Sequence, residues 1–444
     1  MRATPMILCP QIKFRIPALC LILCGLAIAC WPVLNWWFAR TTDRSDDPLG
    51  VVALIVGVWF LWHRRSEIEV STTGAWAAAG IVILQKLCAL PDLVGGVAFV
   101  SALALALGLP RRQPGIVVLL LLSLPVIASL QFFAGYPMRL MAAEISHSLL
   151  GIVGIASERV GTMLHWQGRE IGVDAACSGV NLLWTTSFLA GVLAVRARLN
   201  WQRCGVLLVV AWCAILIANG IRAAVLFLPE AGIVHWPEWT HEGVGVALFI
   251  VVVGVLFKLA ERPQWRGKRM MTGKETTFHG TSKVAWFVVM LAAALLPVRA
   301  RTDAAISTQL AWPETFEGEA LREIPLSKRE ATFAAAFPGE MKVFQTTSGR
   351  TVIIRHISRA SRALHSSADC LRASGNTLRP EPLWKDDAGH AWGNYKVHGP
   401  DGIHSLRELI TDANGRTFPD PSTWFWPAIL GQSPGPWTAV TVME

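Results

Sequence analysis

The sequence predicts a mainly α protein, a polytopic transmembrane helical bundle of about eight spans plus one linker span, followed by a small α+β domain. Three observations carry that expectation. Hydrophobic residues fill 53% of the 444 positions and charged ones only 16%, well under the roughly 25% charge of soluble domains. About nine apolar stretches recur along the first 300 residues, each near or slightly under the ~20 residues a bilayer core requires. Residues 300–444 then change to polar loops with Gly and Pro punctuation and alternating apolar segments.

The apolar stretches are residues 15–38, 48–63, 74–89, 91–108, 114–134, 179–195, 204–227, 242–260 and 283–299. Pro91 and Asp92 interrupt one long apolar run, and mark either a tight hairpin or a kink. The run through Trp31 to Phe38 is too long for a signal-peptide core, so the first stretch reads as an uncleaved span. The competing reading is a removable signal, with Leu26 to Cys30 as a loose lipoprotein-type cleavage site.

Loops rich in Lys and Arg stay cytoplasmic. With Lys13 and Arg15 inside, alternation also puts inside His63-Arg64-Arg65, Arg111-Arg112, Arg196 to Arg203 and the run Arg262 to Lys274. The loop at Asp43–Asp47, the segment 135–178, the loop 228–241 and everything after the last span fall outside. The expected location is a bacterial inner membrane, multi-pass, with a cytoplasmic N-terminus and a periplasmic C-terminal domain. The expected domains are 1–262, a transmembrane catalytic part; 263–300, a basic loop with the last span; and 301–444, the periplasmic part.

The net charge of +9 sits in short clusters between apolar runs. It therefore reads as a topology signal, with the lipid bilayer and not nucleic acid as partner. In the C-terminal part, segments 342–345 and 351–354 flank Ser348-Gly349, and Asn414-Gly415 also lies between extended-looking runs, as hairpin turns do. Trp424, Phe425 and Trp426 either touch lipid headgroups or belong to that domain's own core.

Three features recur at one depth of this topology. Asp174 to Gly179, containing Cys177 and Ser178, leads into the sixth stretch from outside; Asn219-Gly220-Ile221-Arg222 lies near the outer end of the seventh; His241 opens the eighth. A cysteine near a helix N-terminus feels the positive end of the macrodipole, and a nearby cation lowers its pKa further. Cys177 is thus the candidate nucleophile. Imidazole titrates near working pH, which makes His241 the candidate acid and base. Arginine cannot act as a base, but its fork of donors can stabilise an oxyanion where water is scarce, the role fitted by Arg222. Asn219, one turn away, and Ser178 are supporting candidates.

Each residue has a plainer reading. Arg222 could snorkel to the headgroups. His241 could be an interfacial polar residue, and His235 in the same loop competes for its role. Cys177 could be structural, or paired with Cys370 in a disulfide. Convergence at one depth favours catalysis, because charged side chains within spans cost roughly 2.5–3.5 kcal/mol on insertion scales and mark function.

At Cys177-Ser178-Gly179, Asn219 to Arg222 and His241, over residues 15–260, the chain resembles the exosortase/archaeosortase family. The resemblance implies a membrane cysteine transpeptidase or protease. It would sort exported proteins that carry a C-terminal tag, often Pro-Glu-Pro, followed by an apolar span and basic residues. The sequence shows no metal-binding cluster, P-loop or dinucleotide fingerprint, so no cofactor and no metal are expected. His365 to Leu371, with Cys370, resembles the His-x4-Cys-Leu stretch of an exopolysaccharide-biosynthesis domain found beside or fused to exosortases. That points to exopolysaccharide-assembly proteins as further partners and to His365 and Cys370 as a candidate second site. The alternative there is a buried cysteine beside a surface histidine. Two other functions compete: a non-enzymatic component of envelope assembly, and a thiol-disulfide oxidoreductase using Cys177 and Cys370. The chain contains no Cys-x-x-Cys, which counts against the latter.

Overall fold

The computed structural model describes residues 15–42, 49–68, 70–88, 90, 92–173, 178–237, 239–262, 265, 278, 280–296, 311–400 and 402–444. Helices dominate up to residue 295. They are α1 (Arg15–Ala29), α2 (Trp31–Thr42), α3 (Leu49–His63), α4 (Thr72–Leu87), α5 (Asp92–Ala106), α6 (Leu109–Arg112), α7 (Pro114–Leu122), α8 (Ile127–Ile152), α9 (Val180–Arg196), α10 (Trp201–Glu230), α11 (Trp239–Ala260) and α12 (Gly280–Leu295).

The expected span count is not met. Among the described residues, α10 and α11 are long and apolar enough to cross a membrane, and at most four crossings result if each bent helix pair counts as one. Proline interrupts two of the expected spans. It cannot donate to the helical ladder, and Pro32 and Pro125 lie within stretches read from sequence as single spans. There α1 and α2 meet at 78°, and α7 and α8 at 95°. Helices α3, α5, α9 and α12 are apolar but only 15 to 17 residues long. At 1.5 Å per residue they reach about 22–26 Å, short of a ~30 Å hydrocarbon core.

The interruption near Pro91 is a hairpin. Gly74 at the start of α4 faces the Leu105 carbonyl late in α5, and Gly95 early in α5 faces Gln85 late in α4. The segment after residue 134, expected beyond the end of a span and outside the membrane, is helical to Ile152 and then forms a three-stranded meander, β1 (Glu158–Val160), β2 (Met163–Trp166) and β3 (Arg169–Gly172). Helix α11 exposes Val246, Ile250, Val251 and Val255, an apolar face suited to lipid.

One end of the bundle gathers the basic loops. Glu67 accepts from Arg198 at 2.8 Å, from Arg64 at 3.3 Å and from the Gln113 amide at 2.5 Å. Arg196 reaches Glu261 at 3.2 Å, and Arg203 donates to the Trp265 carbonyl. Four of the loops expected on one side thus meet. These cations hold the Glu67 carboxyl below its usual range against the opposing effect of burial.

The C-terminal part is an antiparallel sheet of β4 (Thr315–Phe316), β5 (Glu319–Ile324), β6 (Gly339–Thr346), β7 (Thr351–Ile357), β8 (Thr377–Lys385), β9 (Ala391–Gly399), β10 (Gly402–Thr411), β11 (Thr417–Phe418) and β12 (Trp437–Met443). The order is β4-β5-β6-β7-β12-β10-β9-β8, with β11 on β10, so the last strand lies in the middle. Helices α13 (Lys328–Ala336), α14 (Ser367–Ala373) and α15 (Pro421–Ile429) accompany it. Both expected turns are present, at Ser348-Gly349 between β6 and β7 and at Asn414-Gly415 between β10 and β11. Trp424 and Phe425 are buried with Trp437 and Phe418, and also with Phe132 of α8. The aromatic run therefore belongs to a core, and that core continues into the helical bundle.

Candidate functional site

The N-cap of α9 is Gly179, whose φ of 76° lies in the left-handed region that glycine adopts most readily. A Cβ there would stand 3.1 Å from Asn219 Cγ. The glycine after Ser178 thus lets the α9 entrance turn sharply and seat on α10. Arg222 follows Asn219 by three residues on the same helix and lies alongside Gly245 of α11, where a Cβ would come within 3.3 Å of Arg222 Nε.

These elements border a cavity of about 590 Å³, into which Ser178, Gly179, Arg222 and Glu242 all face. Ser178 Oγ donates to Gln131 Oε1 of α8 at 3.1 Å. Asn219 is buried between Gly179 and a smaller void shared with Arg222 and the β3 end. Cys177 and the side chain of His241 lie outside the described residues, as does any pairing of Cys177 with Cys370. Their chain neighbours Ser178 and Glu242 both line the cavity. His235, the competing imidazole, is exposed in the loop between α10 and α11 and does not line it.

The other side of the cavity comes from the sheet domain, through residues including Asp369, Arg372, Tyr395 and Asp420. Arg139 of α8 donates one nitrogen to both Asp420 oxygens, at 3.1 and 2.9 Å, with both side chains buried. Sequence reading missed Arg139, Asp420, Gln131 and Glu242. The signal for Glu242 was available, since it is a carboxylate beside His241 at a helix entrance. For Arg139 and Asp420 there was none, because they meet across 281 positions.

A model for transmembrane exosortases matches residues 36–258, half of the chain, including every helix that borders the cavity from the bundle side. The chain belongs to the transmembrane exosortase family. Membership agrees with the apolar helices in making this a membrane protein. The match stops at residue 258, so the sheet domain lies outside what the family model describes. No curated protein and no solved structure matches the chain.

His365 and Cys370 are adjacent, with Nε2 3.1 Å from Sγ, while Nδ1 lies 3.1 Å from the Ala363 carbonyl. A carbonyl can only accept, so Nδ1 carries the proton and the Nε2 lone pair faces the thiol. Burial, and then the Arg355 guanidinium, push the imidazole down to about 4, which keeps it neutral at neutral pH. The neighbouring groups are fixed. Arg355 donates to the His365 carbonyl, Ser367 Oγ and Thr441 Oγ1, and Glu408 accepts from Ser366 Oγ and the Ser367 amide.

Proposed function

We propose that the protein is a membrane-embedded cysteine transpeptidase or protease that cleaves exported proteins near a C-terminal Pro-Glu-Pro-type tag followed by an apolar tail. The observation that supports it best is the single cavity faced by Arg222, by Ser178 next to Cys177, and by Glu242 next to His241. His241 takes the Cys177 proton, and the thiolate adds to the scissile carbonyl. Arg222 stabilises the resulting oxyanion from the cavity wall. Collapse breaks the C–N bond, the amine leaves with the proton held by His241, and a thioester remains on Cys177. An amine or water then attacks that thioester and regenerates the thiol. In this reading the cavity opens at the outer, periplasmic leaflet of a bacterial inner membrane, where the substrate's own apolar tail delivers the bond.

The test is processing of a tagged substrate in cells. Cys177→Ala and His241→Ala each abolish it while leaving the protein in the membrane fraction. Full processing by Cys177→Ala ends the enzyme reading.

A second thiol centre is favoured by one specific observation, the 3.1 Å contact of a neutral, carbonyl-oriented His365 with Cys370. In that reading His365 Nε2 orients the Cys370 thiol and takes its proton only as the sulfur reacts, because burial makes the imidazole too weak a base to hold a thiolate at rest, and the C-terminal part carries thiol chemistry of its own. Its mark is rapid alkylation of Cys370 that slows in His365→Phe. Equal rates in the two proteins reduce the pair to packing.

A further inference from the structure

The attachment of the sheet domain to the bundle uses a defect in α8. Pro137 lies inside that helix and lacks the N–H that would bond to the Phe133 carbonyl. That carbonyl accepts instead from Trp426 Nε1, at 2.8 Å. One residue earlier, the Tyr136 amide donates to Ser422 Oγ at 2.9 Å. The Arg139–Asp420 pair lies one turn further on, and the Phe132 and Phe425 rings pack at 4.9 Å. Two hydrogen bonds, a buried ion pair and a ring contact thus tie the domain to α8 beside the cavity.

The bundle lines that cavity with an apolar strip, Val180, Leu182, Val246 and Phe249, beside the polar groups Ser178, Arg222 and Glu242, and α14 adds Asp369 and Arg372 from the other side, paired at 3.1 Å. Arg372 retains 42% side-chain exposure, so it is open to a ligand. The start of α14 is anchored to the sheet by Glu408 and Arg355, which presents Asp369 and Arg372 from a rigid support.

Resting on the transpeptidase reading, we propose that the sheet domain forms the polar wall of the substrate cleft. Asp369 and Arg372 contact the polar stretch of a membrane-anchored polypeptide, whose apolar continuation lies along Val180, Leu182, Val246 and Phe249. An amphiphilic cleft of this kind selects the junction between a soluble segment and an apolar tail, in preference to either alone. Arg372 is then a specificity-determining residue supplied by a part of the chain beyond the family match.

The experiment uses the full-length protein with a tagged, apolar-tailed test polypeptide. Arg372→Ala raises KM about tenfold, one contact's worth, with kcat within about twofold, and Arg372→Lys recovers most of the loss. Unchanged KM in Arg372→Ala overturns the wall while processing continues. The Cys177→Ala protein carrying Arg372→p-benzoylphenylalanine supplies a readout independent of turnover, because it crosslinks the polypeptide on illumination. The same photoprobe at Lys342, on the far side of the sheet domain, does not. Absence of the crosslink at 372 overturns the wall. A crosslink without any Cys177-dependent cleavage supports the wall and removes the transpeptidase reading.

Discussion

The two ends of the helical bundle both collect charge, yet they use it differently. At the basic end, Glu67 is surrounded by Arg64, Arg198 and Gln113, and these side chains bond to the carboxylate and tie the loops together. At the other end, Arg222 and Glu242 border an open volume with Asp369 and Arg372 across it. Helix α9 links the two, running 17 residues from Val180 to Arg196, about 25 Å at 1.5 Å per residue. The contrast separates cations that fasten loops from one that faces a cavity, although sequence shows both as arginines at the ends of apolar runs.

Substitutions at each end test the contrast. The largest effect is expected from Arg222→Ala, where losing an oxyanion donor lowers processing by about 10²–10³ with membrane abundance unchanged. Near-normal processing would reassign Arg222 to headgroup contact. Next is Asp420→Ala, which leaves Arg139 buried without its carboxylate and costs about 3–5 kcal/mol, read as a lower melting temperature in detergent. The charge-swapped double variant, Arg139→Asp with Asp420→Arg, recovers part of it. Arg198→Ala at the basic end costs about 1 kcal/mol or less, because that pair is partly exposed, and leaves processing intact. A large activity loss there would erase the distinction between the ends.

The smallest effect concerns pH. Burial raises the Glu408 carboxyl from its ordinary 4.5 to about 7. The folded chain therefore holds a proton that the unfolded chain has released between those values. That contribution is fully present below about pH 4.5 and is lost as pH rises through 7. Glu408→Gln cannot lose it, so the variant gains stability relative to the parent between pH 5 and 8. A constant difference across that range would show that Glu408 is already ionised in the fold.

The sequence made some of this plain and hid the rest for identifiable reasons. The motif around Ser178 and Gly179, Asn219 and Arg222 could be placed because each lies at the end of a long apolar run, and depth follows from helical rise. The basic loops could be grouped because their charges alternate with those runs. The number of spans was overcounted because hydropathy sums across Pro32 and Pro125, where backbone geometry does not continue, and because α3, α5, α9 and α12 form helices shorter than a bilayer core requires. Helix α8 was cut short for the converse reason: its polar positions, Arg139 and Glu144 among them, resemble a loop until the sheet domain that pairs with Arg139 is in view. The turns at Gly349 and Gly415 were legible from local chemistry alone. The burial of Trp424 was not, since it depends in part on Phe132, which is distant in the chain.

Pro137 carries a consequence for engineering. A designer wishing to stabilise α8 would replace it with alanine, and in isolation the straighter helix would indeed be stronger. In the whole protein that repair would set an internal donor in competition with the Trp426 indole for the Phe133 oxygen and draw the backbone in around it. The better helix would thus make a looser assembly, because the gap in one element is the socket for another.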